Sequence, residues 1–185
     1  MDYSIKLIEK FKNKKAKLAV LGMGYVGLPF ATVFASAGFD VTGIDPISEK
    51  MEKLNRGESY IMDVSADLVK KLVADGKLRG TSDYSVLKNI DAVAICVPTP
   101  LRNTGDPDLS FIISAAEGIA PYVHPGMVVV LESSTYPGTT RELVLPTLTE
   151  KSGLVLGEEL FVAFSPERVD PGREDWTTKN TQIGR

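Results

Sequence analysis

The sequence predicts an α/β domain built on a doubly wound parallel sheet. Short apolar runs alternate with helical patterns along the 185-residue chain, as they do where crossover helices join parallel strands. One of these runs, residues 90–97, is apolar on both faces, which is typical of a central parallel strand. Right-handed crossovers then give the strand order 3-2-1-4-5-6 in a single domain, with helices on both faces of the sheet.

Periodicity and turn residues place the individual elements. A leading helix over residues 2–14 puts Ile5, Ile8 and Phe11 on one apolar face. We expect strands at residues 17–22, 40–44, 79–81, 90–97, 127–131 and 160–164. We expect helices at residues 25–37, 47–56, 83–88, 109–120 and 139–149, with a further helical pattern in 58–78. Residues 170–185 are polar and lack helical periodicity.

Composition narrows the classes of function. Hydrophobic residues make up 43% of the chain and charged residues 24%, as in ordinary globular proteins. The net charge of −3 gives no electrostatic footprint for nucleic acid or a membrane surface. No apolar run approaches the roughly 20 residues of a membrane span, so we expect a cytoplasmic protein. With one cysteine, Cys96, and one histidine, His124, we expect neither a disulfide nor a metal site.

A glycine-rich turn follows the first predicted strand. Gly22, Gly24 and Gly27 lie between an apolar run and a helical pattern, which is the order that a dinucleotide-binding turn requires. The first glycine permits the sharp turn, the second lets the backbone approach a pyrophosphate, and the third lets the helix pack on the strand. A tight turn without a ligand is the alternative.

An acidic residue ends the second predicted strand. Asp45 lies 18 residues after Gly27, close to the roughly 20 expected for the acid that binds the adenosine ribose. A carboxylate there accepts hydrogen bonds from ribose hydroxyls and repels a 2′-phosphate, which favours NAD over NADP. The alternative is a carboxylate that caps the helix beginning near Ile47.

Three later loops also follow strands, so the topology brings them to the same edge of the sheet. Thr99, between two prolines, is expected beside the nicotinamide half of a dinucleotide, and residues 133–135 offer hydroxyl groups nearby. Glu167 offers a carboxylate for proton transfer. The alternatives are a rigid strand-ending turn, helix capping and a surface turn, respectively. Cys96 lies in an apolar strand and is interpreted as a small core residue.

These segments together resemble the N-terminal NAD-binding domain of the UDP-glucose/GDP-mannose dehydrogenase family. The resemblance keeps its pieces in order and extends over nearly the whole chain. The matching segments are GMGYVGLP (22–29), GIDPISEK (43–50), CVPTPL (96–101), DPDLSFI (106–112), ESSTYPGTT (132–140) and FSPERVDPG (164–172).

The glycine turn and the resemblance together assign the site residues. The expected NAD-binding residues are Gly22, Met23, Gly24, Tyr25, Val26, Gly27, Asp45, Lys50, Val97, Pro98, Thr99, Ser134 and Thr135. The resemblance also implies catalytic roles for Thr135, which would position a water, and for Glu167, which would assist acid–base chemistry. Glu167, Arg168 and Val169 would contact the sugar nucleotide.

The family resemblance implies a four-electron oxidation in which two NAD molecules successively take hydrides from C6 of a UDP-sugar. The long loops favour the branch acting on UDP-N-acetylhexosamines, with UDP-N-acetylglucosamine expected and UDP-N-acetylmannosamine, UDP-N-acetylgalactosamine or UDP-glucose as alternatives. Pro171 replaces a second acid of the UDP-glucose branch, which weighs against UDP-glucose.

Family members continue into a central helix and a second domain that carries a nucleophilic cysteine, with no counterpart here. We therefore expect a fragment of a longer, homo-oligomeric enzyme, which binds NAD alone but does not turn over. Two other hypotheses are a different two-domain NAD enzyme, such as a β-hydroxyacid dehydrogenase, and a non-catalytic NAD-binding module.

Overall fold

The computed structural model describes residues 2–103 and 105–166, and a six-stranded parallel sheet forms its centre. The strand order is β3-β2-β1-β4-β5-β6, which confirms the doubly wound topology predicted from the sequence. Strands β1 to β6 span Lys17–Leu21, Asp40–Ile44, Leu78–Thr81, Ala92–Ile95, Met127–Leu131 and Leu160–Phe164.

Helices connect the strands. Helices α1 to α6 span Tyr3–Lys12, Gly27–Ser36, Ser48–Asn55, Ala66–Ala74, Ser110–Ile119 and Leu145–Ser152. Short 3-10 helices span Tyr84–Asn89 and Ala120–Tyr122, and a π-helical turn at Thr140–Val144 leads directly into α6. Within the two described ranges, no helix has the length and apolar character needed to cross a bilayer.

Alternating residues of the central strands β1 and β4 face two separate cores, as the two-residue period of a strand requires. Leu18 and Val20 of β1 pack into one core with residues of α2, α3 and α4. Ala19 and Leu21 pack into the other core with residues of α5 and α6. Helices therefore cover both faces of the sheet, as predicted.

All six strands end in one row across the sheet. Leu21 pairs with Ile44 on one side and with Ile95 on the other. The row continues through Thr81 at one edge and through Leu131 and Phe164 at the other. Because the strands are parallel and in register, the loops that follow them lie side by side. This alignment positions the candidate site.

The predicted apolar face of α1 is wrong for Ile5 and Ile8 and right for Phe11. Ile5 and Ile8 are 55% and 52% exposed, whereas Leu7 is buried. The Phe11 ring packs edge-on against Phe39, with 5.8 Å between ring centroids. In a helix of ten residues several apolar stripes overlap, and tertiary contacts select among them. The half-exposed Lys10 of the same helix places its Nζ 2.5 Å from the carboxylate of Asp91, directly before β4.

The helical pattern in residues 58–78 gives a shorter helix than its length suggests. Helix α4 begins only after Ser65. Val64, which falls in the helical pattern, enters the core from the irregular segment before α4, as does Ile61. In α4 itself Val69 and Leu72 are buried, whereas Leu68 is 36% exposed.

Candidate functional site

A groove of about 390 Å³ runs across the carboxyl ends of β1, β2, β4 and β5, a size typical of small-molecule sites. It brings together ten of the residues predicted to bind the cofactor: Gly22, Gly24, Tyr25, Val26, Asp45, Lys50, Val97, Pro98, Thr99 and Ser134. These residues come from four segments of the chain, and the common register of the strands brings them into one groove.

The three glycines of the turn meet three different steric demands. Gly22 has φ +86°, and a Cβ there would lie 2.6 Å from the carbonyl oxygen of Cys96. A Cβ on Gly27, the first residue of α2, would lie 1.8 Å from the carbonyl oxygen of Gly22. Among the described residues, none other than the two chain neighbours of Gly24 has an atom within 4 Å of a Cβ placed there. Gly22 and Gly27 are therefore required by the fold, whereas Gly24 leaves open space in the groove.

The Asp45 carboxylate is buried and ties β2 to the glycine turn. Its Oδ2 accepts a 3.0 Å hydrogen bond from the backbone N–H of Met23 and lies 3.4 Å from Lys50 Nζ. Its Oδ1 accepts a 3.0 Å hydrogen bond from the backbone N–H of Ile47. Asp45 therefore supports the backbone just before α3 without capping that helix, and it also lines the groove.

Met23 and Gly27, also predicted to bind the cofactor, lie beneath the groove rather than on its surface. The Met23 side chain is fully buried, and its sulfur would lie 2.7 Å from a Cβ placed on Gly43. Because the backbone N–H of Met23 is already bound to Asp45, Met23 holds the turn in shape. The binding roles of these two residues stay predictions.

Hydroxyl groups join the loops after β4 and β5. Thr99 Oγ1 donates a 2.7 Å hydrogen bond to the carbonyl of Ser134. Ser133 Oγ donates in the opposite direction, to the carbonyl of Val97 at 2.8 Å, and lies 3.3 Å from the carbonyl of Ile95. Both hydroxyl protons are directed at protein carbonyls. Thr99 and Ser133 therefore stabilise the two turns, which is part of what the alternative of a rigid strand-ending turn proposed.

Two further groove residues were not predicted as site residues. Glu132 is a buried acid directly after β5, and its Oε1 accepts a 3.0 Å hydrogen bond from Ser165 after β6. Cys96, interpreted from the sequence as a core residue, is buried but also lines the groove. An acid directly after a wholly apolar strand was the available signal for Glu132.

Thr135 lies in a second hollow beside the groove, of about 600 Å³, between the loop after β5 and the end of β6. Phe164, Arg141 and Glu142 also line it. The Oγ1 atoms of Thr135 and the buried Thr139 are 2.6 Å apart. The other predicted catalytic residue, Glu167, and the predicted sugar-nucleotide contacts Arg168 and Val169 lie outside the described residues.

Comparison with known proteins agrees with this geometry. Residues 16–183 match the family described as "UDP-glucose/GDP-mannose dehydrogenase family, NAD binding domain". The chain is 42% identical over 158 residues to a UDP-N-acetyl-D-mannosamine dehydrogenase of Pyrococcus horikoshii, covering 85% of this chain and 37% of that protein. It is 34% identical over 163 residues to a UDP-N-acetyl-D-glucosamine 6-dehydrogenase of Salmonella typhi, covering 88% and 37% respectively.

A solved structure of a related enzyme has the same fold as this chain. The crystal structure of an NDP-N-acetyl-D-galactosaminuronic acid dehydrogenase from Methanosarcina mazei aligns with a TM-score of 0.83 at 40% identity, covering 94% of this chain and 38% of that one. The chain thus spans a little over a third of the length of these relatives. It belongs to the UDP-glucose/GDP-mannose dehydrogenase family, as the resemblance implied, and residues 16–183 correspond to the NAD-binding domain of that family.

Proposed function

We propose that this chain is the NAD-binding part of a dehydrogenase that oxidises C6 of a UDP-N-acetylhexosamine to the uronate with two NAD. The observation that carries this proposal is the pairing of an open Gly24 with a buried Asp45 in one groove. Gly24 leaves room for a pyrophosphate, and Asp45 provides the acid that a ribose needs.

NAD is proposed to lie along the groove from Asp45 to Ser134. The adenosine ribose would contact Asp45 and Lys50, and the pyrophosphate would lie over Gly24, Tyr25 and Val26 at the start of α2. The first backbone N–H groups of a helix have no partner within it and attract phosphate charge. A 2′-phosphate would approach the Asp45 carboxylate, which is buried and held on both oxygens, so we infer a preference for NAD over NADP.

The nicotinamide half would reach the loops after β4 and β5, near Val97, Pro98 and Thr99. When bound, NAD supplies the hydride acceptor. The chain's contribution is to orient that acceptor: the Thr99–Ser134 hydrogen bond fixes the spacing of the two loops. We propose that Thr135 positions a water or a sugar hydroxyl in the adjoining hollow, that Glu167 assists proton transfer, and that Arg168 and Val169 contact the sugar nucleotide.

The sugar is proposed at the level of UDP-N-acetylhexosamines. The relatives described above are named for N-acetyl-D-mannosamine, N-acetyl-D-glucosamine and N-acetyl-D-galactosaminuronic acid nucleotides. The expected UDP-N-acetylglucosamine stays a prediction, as do the homo-oligomeric state and the cytoplasmic location.

Two measurements test this proposal. Calorimetric titration of residues 1–185 should show that NAD binds and that NADP binds with lower affinity. The same residues should form no NADH when NAD and a UDP-sugar are added together. The full-length protein that carries this domain should release two NADH per UDP-N-acetylglucosamine, or per one of its manno or galacto epimers, and little with UDP-glucose. NAD binding without turnover of any sugar nucleotide by the full-length protein would favour a non-catalytic NAD-binding module instead.

A further inference from the structure

The hydrogen bonds around Thr135 determine which way its hydroxyl proton points. Thr139 Oγ1 lies 2.6 Å from Thr135 Oγ1 and 3.0 Å from the carbonyl oxygen of Tyr136. Thr139 is 1% exposed, so water does not compete for its hydroxyl. Both separations are hydrogen-bond distances between oxygen atoms, and each must hold one proton to be attractive.

A threonine hydroxyl carries one proton and two lone pairs. The Tyr136 carbonyl has no proton to give, so the contact between it and Thr139 Oγ1 is attractive only when Thr139 donates. Thr139 then has only lone pairs left for Thr135, so Thr135 must donate to Thr139 Oγ1. The opposite assignment, with Thr139 donating to Thr135, would leave two acceptor oxygens facing each other across 3.0 Å.

We propose that Thr139 is a positioning residue that makes Thr135 Oγ1 a pure hydrogen-bond acceptor toward the hollow. With its proton committed to Thr139, Thr135 offers only lone pairs to that space. The group that it binds must therefore donate a proton, as a water or a sugar hydroxyl does, and a carbonyl or carboxylate oxygen is rejected. This inference rests on the proposed function only for its consequence in catalysis, since the proton assignment stands on the geometry alone.

The local backbone supports a fixed role for Thr139. The residue follows Gly138, whose φ of +101° turns the chain sharply, and precedes the π-helical turn at Thr140–Val144. Single π-helical turns occur frequently at functional sites. The Glu142 N–H donates a 2.8 Å hydrogen bond to the carbonyl of Gly138. This bond closes the turn that contains Thr139.

The proton assignment can be tested directly on this chain. Neutron diffraction from crystals of perdeuterated residues 1–185 should place one deuteron on Thr139 Oγ1 directed at the Tyr136 carbonyl and one on Thr135 Oγ1 directed at Thr139. A deuteron on Thr135 that points into the hollow would overturn the proposal. This result does not depend on whether the protein oxidises a sugar nucleotide.

The kinetic consequence can be tested in the full-length protein by a double-mutant cycle. Thr139→Val keeps the shape and removes the hydroxyl, and we expect kcat to fall about 3- to 10-fold, the equivalent of one hydrogen bond, with KM for the sugar nucleotide nearly unchanged. Thr139→Ser should restore kcat. In a Thr135→Val background, Thr139→Val should cost nothing further.

Thr147→Val is the matched control. The partly buried Thr147 hydroxyl donates a 2.8 Å hydrogen bond to the carbonyl of Leu143 in the preceding helical turn. Because this bond does not involve Thr135, kcat should not change. Equal losses from Thr139→Val in both backgrounds, or a loss that tracks a lowered melting temperature, would show a merely structural residue and overturn the proposal. Absence of NADH from the unmodified full-length protein would instead count against the proposed function.

Discussion

The Asp45 carboxylate, at the end of β2, accepts a hydrogen bond from the backbone N–H of Met23, in the turn after β1, across 3.0 Å. The two residues are 22 positions apart in the sequence, and the register of β1 against β2 brings them together. The acid expected to recognise a ribose therefore also holds the shape of the turn expected to recognise a pyrophosphate. Changes at Asp45 should affect stability and cofactor selectivity together.

Asp45→Asn tests this double role. The amide keeps one acceptor oxygen and turns an NH2 group toward a backbone N–H, so we expect a stability loss of about 1–3 kcal/mol in urea unfolding. NAD affinity should fall, and the preference for NAD over NADP should narrow because the negative charge is gone. Asp40→Asn is the control, since Asp40 makes a largely exposed ion pair with Lys77, which should contribute little. Unchanged NAD/NADP selectivity in Asp45→Asn would contradict the assignment.

Gly24→Ala and Gly27→Ala should separate binding from folding. In Gly24→Ala the new methyl group meets no atom of the described residues within 4 Å apart from its chain neighbours, so the melting temperature should stay close to that of the wild type while NAD affinity falls. In Gly27→Ala the new methyl group would overlap the carbonyl of Gly22, so the melting temperature should drop or the protein should fail to fold. If Gly24→Ala binds NAD normally, then the pyrophosphate does not pass over Gly24.

Thr99→Val tests the connection between the loops after β4 and β5. Valine keeps the shape but loses the hydrogen bond to the Ser134 carbonyl, which should lower stability by about 0.5–1.5 kcal/mol and weaken NAD binding. Thr149→Val loses a comparable 2.9 Å bond to the Leu145 carbonyl, within α6. It should lower stability similarly and leave NAD affinity unchanged. Equal NAD affinities in the two variants would argue against a role for the loop spacing.

The buried hydroxyl of Tyr60 should make the stability of the fold depend on pH in the alkaline range. This hydroxyl is buried without a hydrogen-bond partner among residues 2–103 and 105–166, and burial, followed by the charge of Asp45, raises the pKa of Tyr60 well above its ordinary value. The folded state thus holds this proton more tightly than the unfolded chain. The contribution to stability is complete below about pH 10, the ordinary tyrosine pKa, and is lost as the pH rises beyond it.

Tyr60→Phe should therefore leave stability at neutral pH unchanged or raised, because it removes an unsatisfied hydroxyl and keeps the ring in the core. Stability above about pH 10 should decline less steeply than in the wild type. Thermal unfolding at pH 7 and at a series of alkaline pH values measures both effects. A large loss of stability at pH 7 would mean that the hydroxyl has a partner.

The sequence predicted those features that depend on local residue patterns or on the topology of the sheet. The three glycines, the spacing to Asp45 and the alternation of strands and helices predicted the sheet order and most of the groove, because crossover handedness leaves few ways to arrange such elements. The carboxyl ends of parallel strands must share one edge, so the loops around Thr99 and Ser134 could be grouped before their contacts were known.

Only the tertiary structure decided the contacts between residues distant in the chain. It selected the Leu7 face of α1 over the Ile5 and Ile8 face, because a short helix offers several apolar stripes and its neighbours choose one. It directed the hydroxyl of Thr99 to a carbonyl 35 residues away and placed Thr135 outside the groove, against Thr139. A hydroxyl bonds whichever acceptor the folded chain brings within reach, so residue type and spacing alone leave its partner open.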